Sequence, residues 1–85
     1  MCNMIQEKAS IKGSGKGNKG WFQLKEVNVY YDHPDHADMD HAINIDFLNQ
    51  SLGMDKRVAV ELSPDSAIEL VKAIKNAISK GINTN

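Results

Sequence analysis

The residues best suited to chemistry are crowded into one short run of the chain. All three histidines and four of the seven aspartates fall within 32–41. Imidazole and carboxylate groups bind divalent transition metals and transfer protons near neutral pH. The run therefore predicts a metal site with ligands His33, His36 and His41 and with Asp38 as the carboxylate. Zinc or iron suits such a nitrogen and oxygen donor set.

Two backbone geometries would bring two imidazoles and a carboxylate together. In an extended loop His33 and His41 share one side, whereas in a helical turn His36 neighbours Asp40. Three protein ligands with one open position are typical of catalytic zinc and non-haem iron sites, so metal-assisted hydrolysis is one possible reaction. The sequence names no substrate and leaves open whether the chain is an enzyme.

Further residues are candidates for an extra ligand or for supporting contacts around the site. Cys2 would be a remote fourth ligand if the first strand lies beside the strand that leads into the run. Asn44 and Asp46 are expected on the polar side of the strand that follows the run. The full supporting set is Cys2, Asp32, Asp40, Asn44 and Asp46.

Other interpretations explain the same run without a metal. A solvated loop would contain the same residue types, with histidines that only form hydrogen bonds to neighbouring carboxylates. A pH-sensitive or partner-contacting loop is a third interpretation, because adjacent aspartates favour protonated imidazoles. For the whole chain, the alternative function is a non-enzymatic homodimeric interaction module or small-ligand-binding module without metal.

Length and composition restrict the class of protein. Eighty-five residues predict one domain, 1–85, and the single cysteine, Cys2, permits no intrachain disulfide and favours a cytoplasmic location. A net charge of −1 argues against a dedicated nucleic-acid-binding protein. The sequence also lacks a stretch of roughly 20 apolar residues, so we expect no membrane span.

Alternating apolar and polar residues predict four strands, at 3–12, 21–31, 42–49 and 58–62. Four glycines in eight residues predict a hairpin loop at 13–20, and Gly53 predicts a turn within 50–56. A change of phase near Lys25-Glu26 indicates a β-bulge. Glu7 is the one charged residue on the apolar side of the first strand.

A C-terminal helix has the clearest signals. Ser63 suits the N-cap, Pro64 the first helical position, and Asp65 the positive end of the helix. Lys80 and Gly81 are expected to end it. The apolar residues at helical spacing are Ala67, Leu70, Val71, Ile74, Ala77 and Ile78.

These elements predict a two-layer α+β fold, a four-stranded antiparallel sheet followed by one helix, in the order ββββα. The short connections at 13–20 and 50–56 suit antiparallel pairing, because parallel neighbours need crossovers of about a dozen residues or more. We expect the helix to cover one face of the sheet. The opposite face, with Trp21, Tyr30 and Leu48, would then be covered by a second copy, which predicts a homodimer.

Several motifs along nearly the whole chain resemble a family of short, uncharacterised single-domain prokaryotic proteins. These are Met1-Cys2-Asn3-Met4-Ile5, Gly20-Trp21-Phe22, Val29-Tyr30-Tyr31-Asp32-His33-Pro34, His41-Ala42-Ile43-Asn44-Ile45-Asp46-Phe47 and Val58-Ala59-Val60-Glu61-Leu62-Ser63. The resemblance implies a stand-alone, single-domain architecture and no particular activity or site residue.

Overall fold

A computed structural model describes residues 5–32, 40–53 and 56–84. Its strands form one sheet in chain order, and each strand is antiparallel to its neighbours. A 3₁₀ turn, Gln50–Leu52, lies between the third and fourth strands. The predicted ββββα order is confirmed, with elements β1 (Ile5–Gly17), β2 (Gly20–Asp32), β3 (Ala42–Leu48), β4 (Arg57–Leu62) and α1 (Pro64–Thr84).

The first hairpin is longer than the sequence indicates, and the predicted loop at 13–20 is wrong. β1 continues to Gly17, which pairs with Gly20 across the two-residue turn Asn18-Lys19. Gly20 has a φ of 108°, a conformation that residues with a Cβ rarely adopt. The glycines that suggested a loop therefore form strand. Two of them, Gly15 and Gly17, lie where an added Cβ would be 3.2 Å from the side chains of Leu24 and Phe22, respectively.

The predicted β-bulge lies at this level of the hairpin, with its extra residue in β1. Ser10 pairs with Glu26 and Gly13 pairs with Leu24, so two residues of β1 lie opposite Lys25. A bulge of this kind bends the strand that contains it. Beyond it, Gly15 at the far end of the hairpin lies beside the Val58 side chain of β4, which is not a neighbouring strand.

Strand alternation and register sort the sheet into two chemically different faces. One row across β2, β3 and β4 is Val29, Ile45 and Val60. We call this side the apolar face; it consists of Ile5, Glu7, Ala9, Val27, Val29, Tyr31, Ile43, Ile45, Phe47, Val58, Val60 and Leu62. The polar face includes Gln6, Lys8, Ser10, Glu26, Asn28, Tyr30, Asn44, Asp46, Arg57 and Glu61.

The apolar face is not buried within one chain. Each of its residues is either half-buried or exposed. Among the described residues, the buried apolar side chains are Phe22, Leu24 and Ala42. Three residues are a small core for a chain of this length.

The helix begins as predicted and ends later than predicted. The backbone N–H of Ser66 donates a hydrogen bond to Ser63 Oγ at 3.2 Å, which confirms Ser63 as the N-cap. The expected end at Lys80-Gly81 is wrong, because the helix continues to Thr84. Gly81 lacks the positive φ of a helix-ending glycine, and a glycine inside a helix costs only about 1 kcal/mol.

The helix extends away from the sheet. It contacts β3 and β4, and its partly buried residues, Pro64 and Ala67, belong to its first turn. Every residue from Ile68 to Asn83 is exposed. Contrary to expectation, α1 therefore leaves the apolar face of its own sheet uncovered.

Candidate functional site

The histidine-rich run connects two adjacent strands whose ends meet. Asp32, the last residue of β2, pairs with Ala42, the first residue of β3. The two ends of the run thus lie side by side at one end of the sheet. Three of the four predicted ligands, His33, His36 and Asp38, and the candidate extra ligand Cys2 lie outside the described residues.

The remaining predicted ligand, His41, is held against an aromatic ring. Its imidazole stacks on Tyr31 with ring centroids 5.2 Å apart and an angle of 10° between the planes. Stacking uses the face of the imidazole, whereas a metal binds a nitrogen in the ring plane. The contact therefore limits the orientation of His41 and is compatible with coordination.

The two predicted supporting residues of β3 have different surroundings. Arg57 donates a hydrogen bond to Asp46 Oδ1 at 3.3 Å in a partly exposed ion pair. Asp46 is four residues from Ala42, or about 13 Å along an extended strand, so it is separated from the end of β3 that the run enters. Asn44 is closer to that end, and its Oδ1 is buried without a hydrogen-bond partner.

A second buried acceptor lies beside Asn44 on the polar face. Asn28 is 7% exposed and its Oδ1 also has no hydrogen-bond partner. Asn28 pairs with Asp46 and Asn44 with Tyr30, so the two amides are diagonal neighbours on β2 and β3. Sequence analysis missed Asn28, although an asparagine inside a strand of apolar and aromatic residues is a recognisable signal.

Within residues 5–32, 40–53 and 56–84, no three or more His, Cys, Asp or Glu side chains are grouped in a way that could hold a metal ion. Asp32, Asp40 and His41, at the two ends of the run, each have an interaction partner. The metal site and any catalytic role of the run stay predictions.

The most extensive candidate surface is on α1. Six large aliphatic side chains, each between 42% and 69% exposed, follow the helix at mostly three- and four-residue intervals. We call them the apolar stripe: Ile68, Leu70, Val71, Ile74, Ile78 and Ile82. They expose on the order of 500 Å² of apolar surface, the size at which a patch on a soluble protein is often an interaction site.

The opposite side of α1 is polar and includes Asp65, Glu69, Lys72, Asn76, Lys80 and Asn83. Lys72 Nζ lies 3.2 Å from Glu69 Oε2 in an exposed ion pair of the kind that adds little stability. The helix is therefore amphipathic, and its apolar side contacts little of its own chain.

The three residues that sequence analysis assigned to the dimer surface, Trp21, Tyr30 and Leu48, do not form one apolar patch. Tyr30 and Leu48 lie on the polar face among asparagine and charged residues, and Tyr30 Oη accepts a hydrogen bond from Gln6 Nε2 at 3.3 Å. Trp21 is 70% exposed and pairs with Lys16 near the hairpin turn. The apolar surface left uncovered lies instead on the apolar face and the apolar stripe.

Fold and surfaces define a small α+β protein with an amphipathic sheet and a projecting amphipathic helix. A family model described as a family of unknown function (DUF6295) matches residues 1–85, and the chain belongs to that family. No curated protein and no solved structure matches the chain. In the part of the chain that the structure describes, no helix is long and apolar enough to cross a membrane.

Proposed function

We propose that this chain is a non-enzymatic, self-associating domain that forms homodimers through its uncovered apolar surfaces. The observation that carries the proposal is the exposed apolar stripe on a 21-residue helix. Amphipathic helices gain most of their stability from packing their apolar side, and isolated ones are marginal in water. A second copy would supply the packing that α1 lacks within its own chain.

The size of the core supports the same conclusion. Within the described residues, Phe22, Leu24 and Ala42 are the buried apolar side chains, whereas the rows of valine and isoleucine on the apolar face are not buried. Small domains without disulfides or metals often complete their core by oligomerisation. Self-association would bury both the apolar face and the apolar stripe.

Light scattering coupled to size-exclusion chromatography tests the proposal on the full chain. The wild type should elute with twice the 9.4 kDa mass of one chain. Ile74→Asp combined with Ile78→Asp places two charges in the centre of the stripe and should produce monomers. A matched control, Asn76→Asp combined with Asn83→Asp, adds the same charges to the polar side of α1 and should remain dimeric.

A wild-type chain that stays monomeric up to submillimolar concentration, with a helical circular dichroism spectrum, would refute self-association. Loss of the dimer in both double variants would also contradict it, because the effect would then come from added charge and not from the stripe.

A second candidate function is binding of zinc or iron by His33, His36 and His41 with Asp38. The pairing of Asp32 with Ala42 favours it, because it places the two ends of the run side by side at one end of the sheet. Directly opposed residues have Cβ atoms about 4.5–5.5 Å apart, so Asp32 and Ala42 hold the two ends of the run close together. The Tyr31 ring would help to orient His41.

Metal analysis of protein purified without a histidine tag tests this second function. We expect one bound ion per chain and a higher melting temperature when zinc is added. His33→Ala combined with His41→Ala should abolish both effects, whereas Asp65→Asn, a carboxylate change on α1, should abolish neither. Absence of bound metal together with an unchanged melting temperature on adding zinc or ferrous iron would rule out the metal site.

A further inference from the structure

We infer that the dimer is reciprocal: the helix of each copy lies on the apolar face of the other copy's sheet. This inference rests on the proposed self-association and specifies which surfaces meet. The uncovered sheet surface and the uncovered helix surface are the two layers of an ordinary α+β sandwich. In this chain both layers are present but do not pack on each other.

The connection between β4 and α1 explains why the helix does not fold back. β4 ends at Leu62 and α1 begins at Pro64, so Ser63 alone joins them. Connections that return a helix over its own sheet usually have two to six residues. A residue before proline also favours an extended backbone, which directs α1 away from the sheet instead of across it.

The part of the apolar face nearest the run is the part left open. At the opposite end, the glycine-containing tip of the first hairpin reaches Val58. Between Val58 and the run lie two rows of paired residues across β2, β3 and β4. One row is Val29, Ile45 and Val60, and the other is Tyr31, Ile43 and Leu62. Val60 and Tyr31 are each 38% exposed, so these rows have space for a helix from another chain.

The dimensions of the two surfaces agree. A 21-residue helix is about 31 Å long, and the strands it would cross or follow are about 20 Å long. Two such helix-on-sheet contacts would bury on the order of 1,500 Å² in total, within the range of stable and specific protein interfaces. One contact made by a single copy would bury about half as much and would be marginal.

A second copy fits better than an unrelated partner because it covers all four apolar surfaces of the pair, the apolar face and the apolar stripe of each chain. Under twofold symmetry, each helix that covers a partner's sheet also has its own sheet covered. An unrelated helical protein would cover the apolar face and leave the stripe of α1 exposed. The reciprocal arrangement is closed, so it ends at two chains.

Isotope-filtered NMR on the wild-type chain tests which surfaces meet. Carbon-13-labelled and unlabelled chains are unfolded together, refolded as a mixture and examined for contacts between methyl groups of different chains. We expect contacts that join Ile74 and Ile78 of one chain to Val29 and Ile45 of the other. The same methyl pairs should give no contacts within a single chain.

Two other results would overturn the reciprocal arrangement while leaving self-association intact. Interchain contacts that join stripe to stripe would indicate a helix–helix dimer, and contacts that join apolar face to apolar face would indicate a sheet–sheet dimer. Stripe-to-face contacts within one chain would show that the helix folds back. A monomer in light scattering, in contrast, would refute the proposed function itself.

Discussion

Asn49 is the most completely buried polar side chain among the described residues, at 2% exposed. Its Nδ2 donates to the backbone carbonyl of Gln23 at 2.9 Å, and its Oδ1 accepts from Ser51 N at 3.2 Å and Ser51 Oγ at 2.6 Å. One side chain thus joins β2 to the turn that follows β3. Because both ends of the amide are used, Asn49 fixes the turn in one position.

Asn49→Ala should destabilise the fold by about 2–3 kcal/mol, because it removes three hydrogen bonds and leaves a cavity where the buried amide packs. Urea denaturation followed by circular dichroism measures the free energy of unfolding. Gln50→Ala, at the exposed neighbouring position, should change it by no more than about 0.5 kcal/mol. Equal effects of the two substitutions would show that Asn49 has no anchoring role.

Predictability at the scale of single residues depends on how far away the partner lies in the chain. Ser63 could be identified as a helix cap because its partner, Ser66, is three residues away. Asn49 could not be identified, because Gln23 is 26 residues away. His41 was recognised as a functional candidate from its residue type, but its contact with Tyr31 depends on the register of β2 and β3.

Among the elements, β1 departs most from what its sequence indicates. Glycine lowers strand propensity, so a segment with several glycines is typical of a loop. A Cβ added at Gly15 would lie 3.2 Å from Leu24 Cδ2 and 3.4 Å from Val58 Cγ2. The strand therefore needs glycine for close packing, a tertiary requirement that local composition does not show.

Gly15→Val should lower the free energy of unfolding by about 1–3 kcal/mol, because the new side chain would crowd Leu24, which is buried and has little room to move. Gly13→Val is the matched control. A Cβ at Gly13 has nothing within 4 Å, so valine there should be neutral or stabilise the strand by up to about 1 kcal/mol. Thermal or urea unfolding of both variants measures the difference, and a reversed order would contradict the packing explanation.

The structure of the helix, in contrast to that of β1, follows mainly from its own local sequence, whereas its packing partner does not. Its start, its amphipathic pattern and most of its length follow from residue spacing within the segment, and these were predicted. The surface that it covers could not be predicted, because an apolar stripe indicates burial without indicating a partner. The one-residue connection at Ser63 was visible in the sequence, yet its consequence depends on β4 continuing to Leu62.

At the scale of the whole molecule, the same distinction applies to the candidate metal site. The sequence predicts that the histidine-rich run connects the second and third strands, and the pairing of Asp32 with Ala42 shows that the two ends of the run lie side by side. Convergence of three imidazoles on one ion is a property of the loop's own conformation. Residue type and spacing predict that such a site is possible, whereas the register of β2 and β3 positions only the two ends of the run.

If two chains complete one core, folding and association should be a single equilibrium. In a separated chain the apolar stripe would be exposed and the apolar face would be only partly buried, so that monomer would have little stability of its own. The melting temperature should then rise by about 5–10 °C for a hundredfold increase in protein concentration, as mass action requires of a dimer of this size. Circular dichroism melting curves recorded over that concentration range measure the shift.

The Ile74→Asp and Ile78→Asp double variant should melt at a lower temperature that does not depend on concentration. A wild-type melting temperature independent of concentration would mean that each chain folds by itself, and the exposed stripe would then need another explanation.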